Sequence, residues 1–569
     1  MKIRLLLPLV VLAGFAATAR AELCLLASAT SDSYQSLTYG LSAFCQAAGF
    51  PFALTEINDK ASDLLLIPNL AGIDVQHHLW LFWLAGDPKA PETSGIVSVA
   101  ILPTTDNAAA ALRALTNTYP LRVEEPEQHL WRYAQMETQP STAAKSFAPA
   151  IYTVVHHGSL IVSKSREAVR WAISRPLPAS PVGSTIVAGQ VRFELQPAAI
   201  AAWLTEDHNS PADNAGLRDV SEHVLADIRE LTLVLEATTE GITAHLAVSP
   251  HPDTLLARLF LGIHPPVNSI WQCCPDQATV AIASGGSSIW HISDTYGTNL
   301  ASRAHHAESL LGDCRTGDNA VFIGRTAATG TLYYAKIMGI TDRTIAWKRA
   351  QADPQALLPF ETSFLFTTNR VRTVLGTQVL DLHLCGLAAP VDGRRNLADM
   401  AAFMVRDGGI SLAATSNNLV MTFGAPNAME QVLLRLANPP TNALPLPVRC
   451  RKLLPDLPDA PCSALLLLQP SGLIREIVQS LPDMKPEQID TLPPPGDGIA
   501  ADITRDANNV LHLNVRVSAN EVSRLTEAMN KGQAALQQMF RQMALQQMMR
   551  MDRKLDAPDP RDPKMQLQR

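Results

Sequence analysis

The sequence contains few aromatic and few charged residues. Of its 569 residues, 5% are aromatic and 17% are charged, whereas 47% are hydrophobic. A disordered chain has more charge and fewer apolar residues, so this composition excludes general disorder and predicts a globular protein with aliphatic cores. At about 150 residues per domain, the length favours three to four domains.

Dense basic clusters are also missing. The formal net charge is -7, and removal of the three cationic residues Lys2, Arg4 and Arg20 in an N-terminal leader takes it to -10. A nucleic-acid-binding protein usually has a basic patch or stripe. Nucleic acid is therefore excluded as an expected partner.

Beyond the amino terminus, no segment has about 18 uncharged apolar residues in a row. At the terminus, Lys2 and Arg4 precede an apolar run over 5–17, and Ala19-Arg20-Ala21 fits a small-x-small cleavage site. The run is shorter than the ~20 residues that span a bilayer. We therefore expect a signal peptide over 1–21, no transmembrane segment after cleavage, and a secreted or periplasmic protein.

No C-x-x-C motif occurs among the eight cysteines, so neither a redox motif nor a zinc knuckle is indicated. An even number of cysteines in an oxidising compartment permits four disulfides, and the sequence alone does not fix their connectivity. Two local pairs are candidates. Cys24 and Cys45 belong to the first predicted strand and helix, and Cys450 and Cys462 bracket a proline-rich loop.

Local catalytic motifs are absent as well. The chain has no H-E-x-x-H, P-loop, G-x-G-x-x-G or EF-hand loop. Around Ser287, the glycine needed after a nucleophile elbow is replaced by Ile289. We predict no catalytic residue and no cofactor. A dispersed triad or carboxylate pair leaves no local signature, so a hydrolase stays as a third hypothesis.

The chain does contain a recurring pattern of a hairpin followed by a helix. Over 231–262, two alternating apolar runs flank a polar turn, and a run with helical spacing follows. Similar turns lie near residues 88, 158, 240, 329, 418 and 508. Their spacing exceeds that of solenoid repeats, so each unit has the size of a small domain.

The segments before these hairpins repeat too. Residues 185–207 and 463–481 each read as a strand, Gln-Pro and a helix, and 363–380 reads as a strand and then a helix. The unit is β-α-β-β-α. It approaches a ferredoxin-like order, and we predict an α+β protein with antiparallel sheets and helices on one face.

Proline-rich links and composition divide the chain into tandem units. The predicted segments after the signal peptide are unit 1 (22–117), a short unit 2 (118–181), unit 3 (182–264), unit 4 (276–352), unit 5 (360–438), a proline-rich linker (439–462), unit 6 with a long C-terminal helix (463–555) and a disordered tail (556–569).

The segment over 151–174 contains several residue types that occur in catalytic sites, including His156 and His157. In the other units the place of His157-Gly158 is held by other turn residues, and Ser165 precedes a helix. The repeat therefore favours turn and helix-cap chemistry here, and a separate role for His156 stays open.

The last predicted helix runs from Ala519 to about Leu555 and has an apolar seam that starts at Val522, Leu525 and Met529. The helix could pack on its own domain, dock a protein partner or self-associate, or bind Cu(I) through methionine sulfur. The candidate partner-binding residues are Leu536, Met539, Phe540 and Met543. The candidate copper ligands are Met539, Met543, Met548, Met549 and Met551. A second weak metal candidate is the pair His305 and Glu308, which share a helix face at i,i+3.

These observations lead to a first hypothesis of an exported, non-catalytic cell-envelope protein that binds or scaffolds other macromolecules. Repeated modules multiply surface, and a protein partner at the C-terminal helix fits this interpretation. The alternative is a periplasmic carrier of an apolar ligand or Cu(I).

Overall fold

A computed structural model describes most of the chain between residues 23 and 531. The described ranges are 23–31, 33–50, 54–85, 96–119, 121–125, 130–134, 150–175, 189–206, 224–266, 270, 273–275, 278–286, 311–325, 332–357, 364–387, 409–425, 427–438, 453, 462–480 and 489–531. The predicted signal peptide and tail lie outside them.

Ten strands form the N-terminal half. Their β-branched residues favour the extended form, and several of them have consecutive buried residues, as strands covered on both faces do. They are β1 (Cys24–Ser31), β2 (Leu79–Ala85), β3 (Ile96–Pro103), β4 (Leu121–Glu125), β5 (Leu130–Ala134), β6 (Ile151–His156), β7 (Ser159–Ser163), β8 (Gln190–Leu195), β9 (Ile228–Ala237) and β10 (Gly241–Pro250).

Ten further strands form the C-terminal half. They are β11 (Val280–Ser284), β12 (Arg315–Arg325), β13 (Leu332–Ile340), β14 (Phe364–Val374), β15 (Thr377–Leu387), β16 (Gly409–Ala414), β17 (Asn418–Gly424), β18 (Ala464–Leu468), β19 (Ile499–Arg505) and β20 (Leu511–Ser518).

Helices occur between the strands in both halves of the chain. They are α1 (Tyr34–Ala47), α2 (Leu54–Leu65), α3 (Ala109–Thr118), α4 (Arg166–Ile173), α5 (Pro197–Glu206), α6 (Leu255–Leu261), α7 (Arg343–Ala352), α8 (Ala428–Ala437) and α9 (Pro470–Ser480). Residues 519–531 are also helical and are called α10 here.

The twenty strands form one antiparallel sheet. The pairings give the spatial order β4-β5-β6-β7-β3-β2-β1-β8-β9-β10 for the first half. The second half continues as β20-β19-β18-β11-β12-β13-β17-β16-β15-β14. Each strand of the first half has the same neighbours as the strand numbered ten higher in the second half, and the two orders run in opposite directions from the junction. The chain is therefore an internal duplication.

The two halves join through β10 and β20. These equivalent strands pair antiparallel from Gly241 opposite Ser518 to Val248 opposite Leu511. The Gln-Pro steps at 196–197 and 469–470 are taken as equivalent points of the two halves. Following the strand pairings from these points shows that His245 and Asn514 occupy equivalent positions. Because these two residues also face each other, a local pseudo-twofold axis passes through this pair.

Helices cover both faces of the sheet. In the first half, α3 packs with Leu160 and Val162 of β7, whereas α4 packs with Ile161 between them. Successive strand residues point to opposite faces, so α3 and α4 lie on opposite sides. In the second half, α7 and α8 divide in the same way. The expectation of helices on one face was therefore wrong.

The mixed α+β character and the antiparallel pairing are confirmed, and strand pairs occur at all six predicted turns. The ferredoxin-like order is not confirmed. In the described units β1 pairs directly and antiparallel with β2, and β8 pairs likewise with β9.

The prediction of a strand and then a helix over 363–380 was wrong. This segment forms the β14–β15 hairpin, which turns at Leu375 and Gly376, both with positive φ. Pairing of β15 with β16 fixes the extended form, and tertiary pairing of this kind overrides local propensity. The second unit has the β4–β5 hairpin at the matching place.

Candidate functional site at the junction of the two halves

A row of side chains crosses the junction on one face of the sheet. The ladder places Val234 of β9 opposite His245, His245 opposite Asn514, and Asn514 opposite Asp502 of β19. Alternation along these strands puts apolar residues on the other face. Beyond Val234, the row is therefore a polar stripe that runs from His245 in the first half to Asn514 and Asp502 in the second.

Hydrogen bonds connect the members of this row. The Asn514 Nδ2 atom donates to Oδ1 and Oδ2 of Asp502, at 3.0 and 3.2 Å. The Asn514 Oδ1 atom lies 2.5 Å from Nδ1 of His245, so this ring nitrogen carries the proton and donates. The Asn514 amide thus bridges a carboxylate of one half to an imidazole of the other.

Asp502 is buried, with a residue exposure of only 3%. Burial raises the pKa of its carboxyl group, whereas the hydrogen bond from Asn514 and the nearby His245 and His512 lower the pKa and offset part of this shift. Desolvation is the largest cause because a buried carboxylate loses water that one amide replaces only in part.

His512 lies beside His245 on the same face. The two imidazole rings stack with centroids 5.4 Å apart and planes 18° from parallel. The His512 Nε2 atom is 3.6 Å from Oδ2 of Asp506 in the β19–β20 turn. Desolvation is the largest single effect on the pKa of Asp506 and raises it, but the backbone hydrogen bonds from Val510 and Asn508 and the contact with His512 together lower the pKa below its ordinary value.

The Cys462 thiol is close enough to this row for the charge of Asp502 to affect its pKa. Burial, with a smaller effect of the Asp502 charge, raises its pKa to about 11. The thiolate is the reactive form of cysteine, so this group is a protonated, inert thiol at neutral pH. A carboxylate, an amide and an imidazole are thus aligned here, and the Cys462 thiol near them is not an activated nucleophile.

Other, partly buried polar groups connect elements of the fold. Arg372 of β14 binds Asp381 of β15 and Glu430 of α8, and Asp381 accepts a hydrogen bond of 2.6 Å from Ser411. The paired carboxylates raise the pKa of Arg372 and outweigh its desolvation, which is the largest single effect and lowers it.

Glu476 and Glu521 have similar linking roles. Glu476 of α9 accepts from Thr279 at 2.9 Å and lies 3.3 Å from the Arg325 guanidinium. The Glu521 carboxylate accepts from the backbone N–H of Ser471 at 2.7 Å, and burial raises its pKa. At the start of α10, the Ser518 hydroxyl accepts from the Glu521 N–H at 3.4 Å, as an N-cap residue does.

A groove of about 560 Å³ lies between α1 and the β9–β10 turn. Its lining is uncharged, and Tyr39 at its edge is 76% exposed. The groove is lined by Ser33, Gln35, Ser36, Tyr39, Gly40, Ala43, Gly189, Ala237, Thr238 and Thr239.

The predicted pair Cys24–Cys45 is not formed, because both residues are free thiols. Cys24 is exposed on β1 and pairs across to Ala85. Cys45 is buried with Phe44 and Ala519 where α1 meets α10, and burial raises its pKa. The helix therefore directs Cys45 toward the second half of the protein.

The predicted pair Cys450–Cys462 is not formed either, because Cys462 is a free, buried thiol. It packs in the core below α8. Its proposed partner Cys450 lies outside the described residues.

The stretch over 151–174 has the predicted turn and cap. His157 has a φ of 48° and Gly158 has a φ of 76°, as a tight hairpin turn requires. The Ser165 hydroxyl accepts from the N–H of Ala168 at 3.2 Å at the start of α4. The His156 and His157 rings contact each other edge to face, with centroids 4.2 Å apart.

The remaining candidates cannot be placed. His305 and Glu308 lie outside the described residues, as do Leu536, Met539, Phe540, Met543, Met548, Met549 and Met551. Within the described part of α10, Ala519, Glu521 and Ala528 are buried, whereas Met529 of the predicted seam is 40% exposed. Among the described residues, no group of three or more His, Cys, Asp or Glu side chains could hold a metal ion.

The junction row was missed by sequence reasoning, although a signal existed. Polar residues alternate at His512, Asn514 and Arg516 within an otherwise apolar strand. That alternation predicts a polar face but not its neighbour, since His245 is 269 positions away.

Fold and site together define a duplicated antiparallel α+β protein whose halves share one sheet and meet at a polar row with a buried carboxylate, Asp502. The chain matches no protein-family model, no curated protein and no solved structure. Across the described ranges, no helix is long and apolar enough to cross a membrane.

Proposed function

We propose that the protein is an exported, non-catalytic cell-envelope protein that binds and scaffolds other macromolecules. The observation that carries this proposal is the continuous sheet through β10 and β20. It gives two similar halves a common surface that neither half has alone. Joined modules of this kind multiply binding surface.

The polar groups at the junction support a structural role there. Asn514 uses its amide nitrogen for Asp502 and its amide oxygen for His245. These contacts hold the two halves in register, in the way that buried polar networks specify one arrangement. The Cys462 thiol beside them is protonated at neutral pH, which argues against a cysteine hydrolase at this place.

The partner surface is proposed to be the junction face of β9, β10 and β20. Side chains on this face include Thr243 and Ala247 of β10, which are partly exposed. They flank His245 at two residues on either side. A non-obligate protein interface is about as polar as the rest of the protein surface, and a face of mixed polar and apolar side chains is compatible with this.

Photo-crosslinking in cells tests the proposal. A photoreactive amino acid at position 243 or 247 is expected to give one adduct of defined mass in the envelope fraction. The matched control is position 60 in α2, where Lys60 is 77% exposed and far along the chain. Equal adduct patterns from all three positions, or none from 243 and 247, would contradict the proposed surface.

Two further readouts address export and the carrier alternative. The mature protein is expected to begin at Glu22 and to fractionate outside the cytoplasm. Protein loaded with Cu(I) and desalted is expected to retain less than one equivalent. Stoichiometric retention would favour the copper carrier instead.

A further inference from the structure

We propose that the protein self-associates head to tail by antiparallel pairing of β4 in one copy with β14 in the next. This goes beyond the proposed function, because the partner is a second copy of the same chain.

β4 and β14 lie at the two ends of the sheet. In the described residues β4 pairs only with β5, and β14 pairs only with β15. A strand at the edge of a sheet presents unpaired N–H and C=O groups, and these are a template for another strand. The protein already joins two strand edges in this way, at β10 and β20.

Both end strands expose large apolar side chains. Leu121 and Val123 on β4 are each 45% exposed, and Val371 on β14 is 60% exposed. Soluble proteins usually protect such edges with charge, bulges or a covering segment. Pairing of the two edges would cover part of the exposed surface of all three side chains.

The charges of the two strands differ in sign. β4 ends with Glu124 and Glu125, whereas β14 has Arg370 and Arg372. An antiparallel register with Val123 opposite Val371 places Glu124 opposite Arg370. Opposite charges facing each other across a ladder are favourable, and like charges are unfavourable.

In the same register, Arg122 faces Arg372. This pairing is tolerable because Arg372 is already bound by the carboxylates of Asp381 and Glu430. The Arg122 guanidinium lies over the Trp131 ring, 3.4 Å from its centroid.

Symmetric alternatives fit less well. Two β14 strands centred on Val371 would place Arg370 opposite Arg372 in both directions. Two β4 strands centred on Val123 would place Arg122 opposite Glu124 in both directions, but they would leave the 60% exposed Val371 of β14 uncovered. Pairing of unlike edges satisfies both ends, and a heterologous contact that does not close produces open chains.

Blocked-edge variants of the full chain provide the test. Val371→Lys blocks β14, and Val123→Lys blocks β4. By sedimentation velocity, the wild-type chain is expected to form concentration-dependent oligomers, and each variant alone is expected to stay monomeric. An equimolar mixture is expected to form a species of twice the monomer mass and nothing larger. The control Ile345→Lys, at a 43% exposed position on α7, is expected to behave as the wild type.

Charge exchange gives a second readout that a folding defect cannot imitate. Glu124→Arg and Arg370→Glu are each expected to weaken association at least tenfold, and the double variant is expected to recover it. A wild-type chain that is monomeric at all concentrations would overturn the proposal. So would a mixture that stays monomeric, or sensitivity to Glu124→Arg without sensitivity to Arg370→Glu. None of these results depends on crosslinking at positions 243 and 247, so the two proposals fail separately.

Discussion

Asn514 holds the junction together, so its removal is the sharpest perturbation of the fold. Asn514→Ala removes the amide that donates to the buried Asp502 carboxylate and accepts from His245. One amide nitrogen serves both carboxylate oxygens, so the two contacts count as one bifurcated bond to a charged group. Such bonds contribute about 1.5–3 kcal/mol, and a buried charge left without its partner costs more than a neutral group.

We therefore expect Asn514→Ala to lower the free energy of unfolding by about 3 kcal/mol at neutral pH. The loss should shrink as pH falls through the pKa of Asp502, because the protonated carboxyl needs the amide less. Urea unfolding followed by tryptophan fluorescence at several pH values measures both effects, with midpoints compared at constant slope.

The matched control is Asn508→Ala in the turn of the same hairpin. Asn508 is exposed, and surface substitutions usually change stability by less than about 0.5 kcal/mol. Equal effects of the two substitutions, or a loss at Asn514 that does not vary with pH, would refute the reasoning. Replacing both Asp502 and Asn514 with Leu should recover much of the loss, since it leaves no buried carboxylate without its partner. The partly exposed His245 ring nitrogen also loses its acceptor, so the recovery should be incomplete.

Three other predictions follow from the described contacts. Asp502→Asn tests the raised pKa of Asp502. The stability that this group contributes is fully present below the ordinary carboxyl pKa and is lost as pH rises through the pKa of the folded state. The stability of wild type relative to the variant should therefore increase on acidification, and a difference that does not vary with pH would contradict this. Gly40→Ala in α1 normally stabilises a helix by about 0.5–1 kcal/mol, but a Cβ here would lie 2.3 Å from the Ala237 carbonyl oxygen; we expect a lower urea midpoint, and a higher one would show that α1 can move away from β9. In native protein, alkylation followed by mass spectrometry should modify Cys24 and spare the buried Cys45 and Cys462 until urea is added, whereas a Cys24 that resists alkylation until a reductant is added would restore the disulfide.

Local patterns predicted the hairpins well because each is specified by nearby residues. Alternation of apolar side chains and turn residues such as His157-Gly158 suffices to fix a hairpin. The same holds for Ser165 as a cap. The β14–β15 hairpin failed this test because its residues also fit helical spacing, and pairing of β15 with β16 decides between the two.

Local sequence patterns could not predict the duplication or the site, because both depend on pairing between distant residues. The order of ten strands in each half is set by pairings such as β1 with β8, between residues more than 150 positions apart. The polar alternation in β20 was visible, but only the β10–β20 ladder brings His245 to Asn514. The division into six units likewise obscured two larger halves, since the second and fifth units begin with a hairpin instead of a strand and a helix.

The pseudo-twofold axis has a consequence for how such a protein can diverge. A dimer of identical chains must set each residue on its axis against a copy of itself. In this fused chain the axial position is occupied by His245 on one strand and Asn514 on the other, so a donor meets an acceptor where a symmetric assembly would pair like with like. Covalent fusion thus freed the central position from symmetry and allowed the two sides to acquire different chemistry.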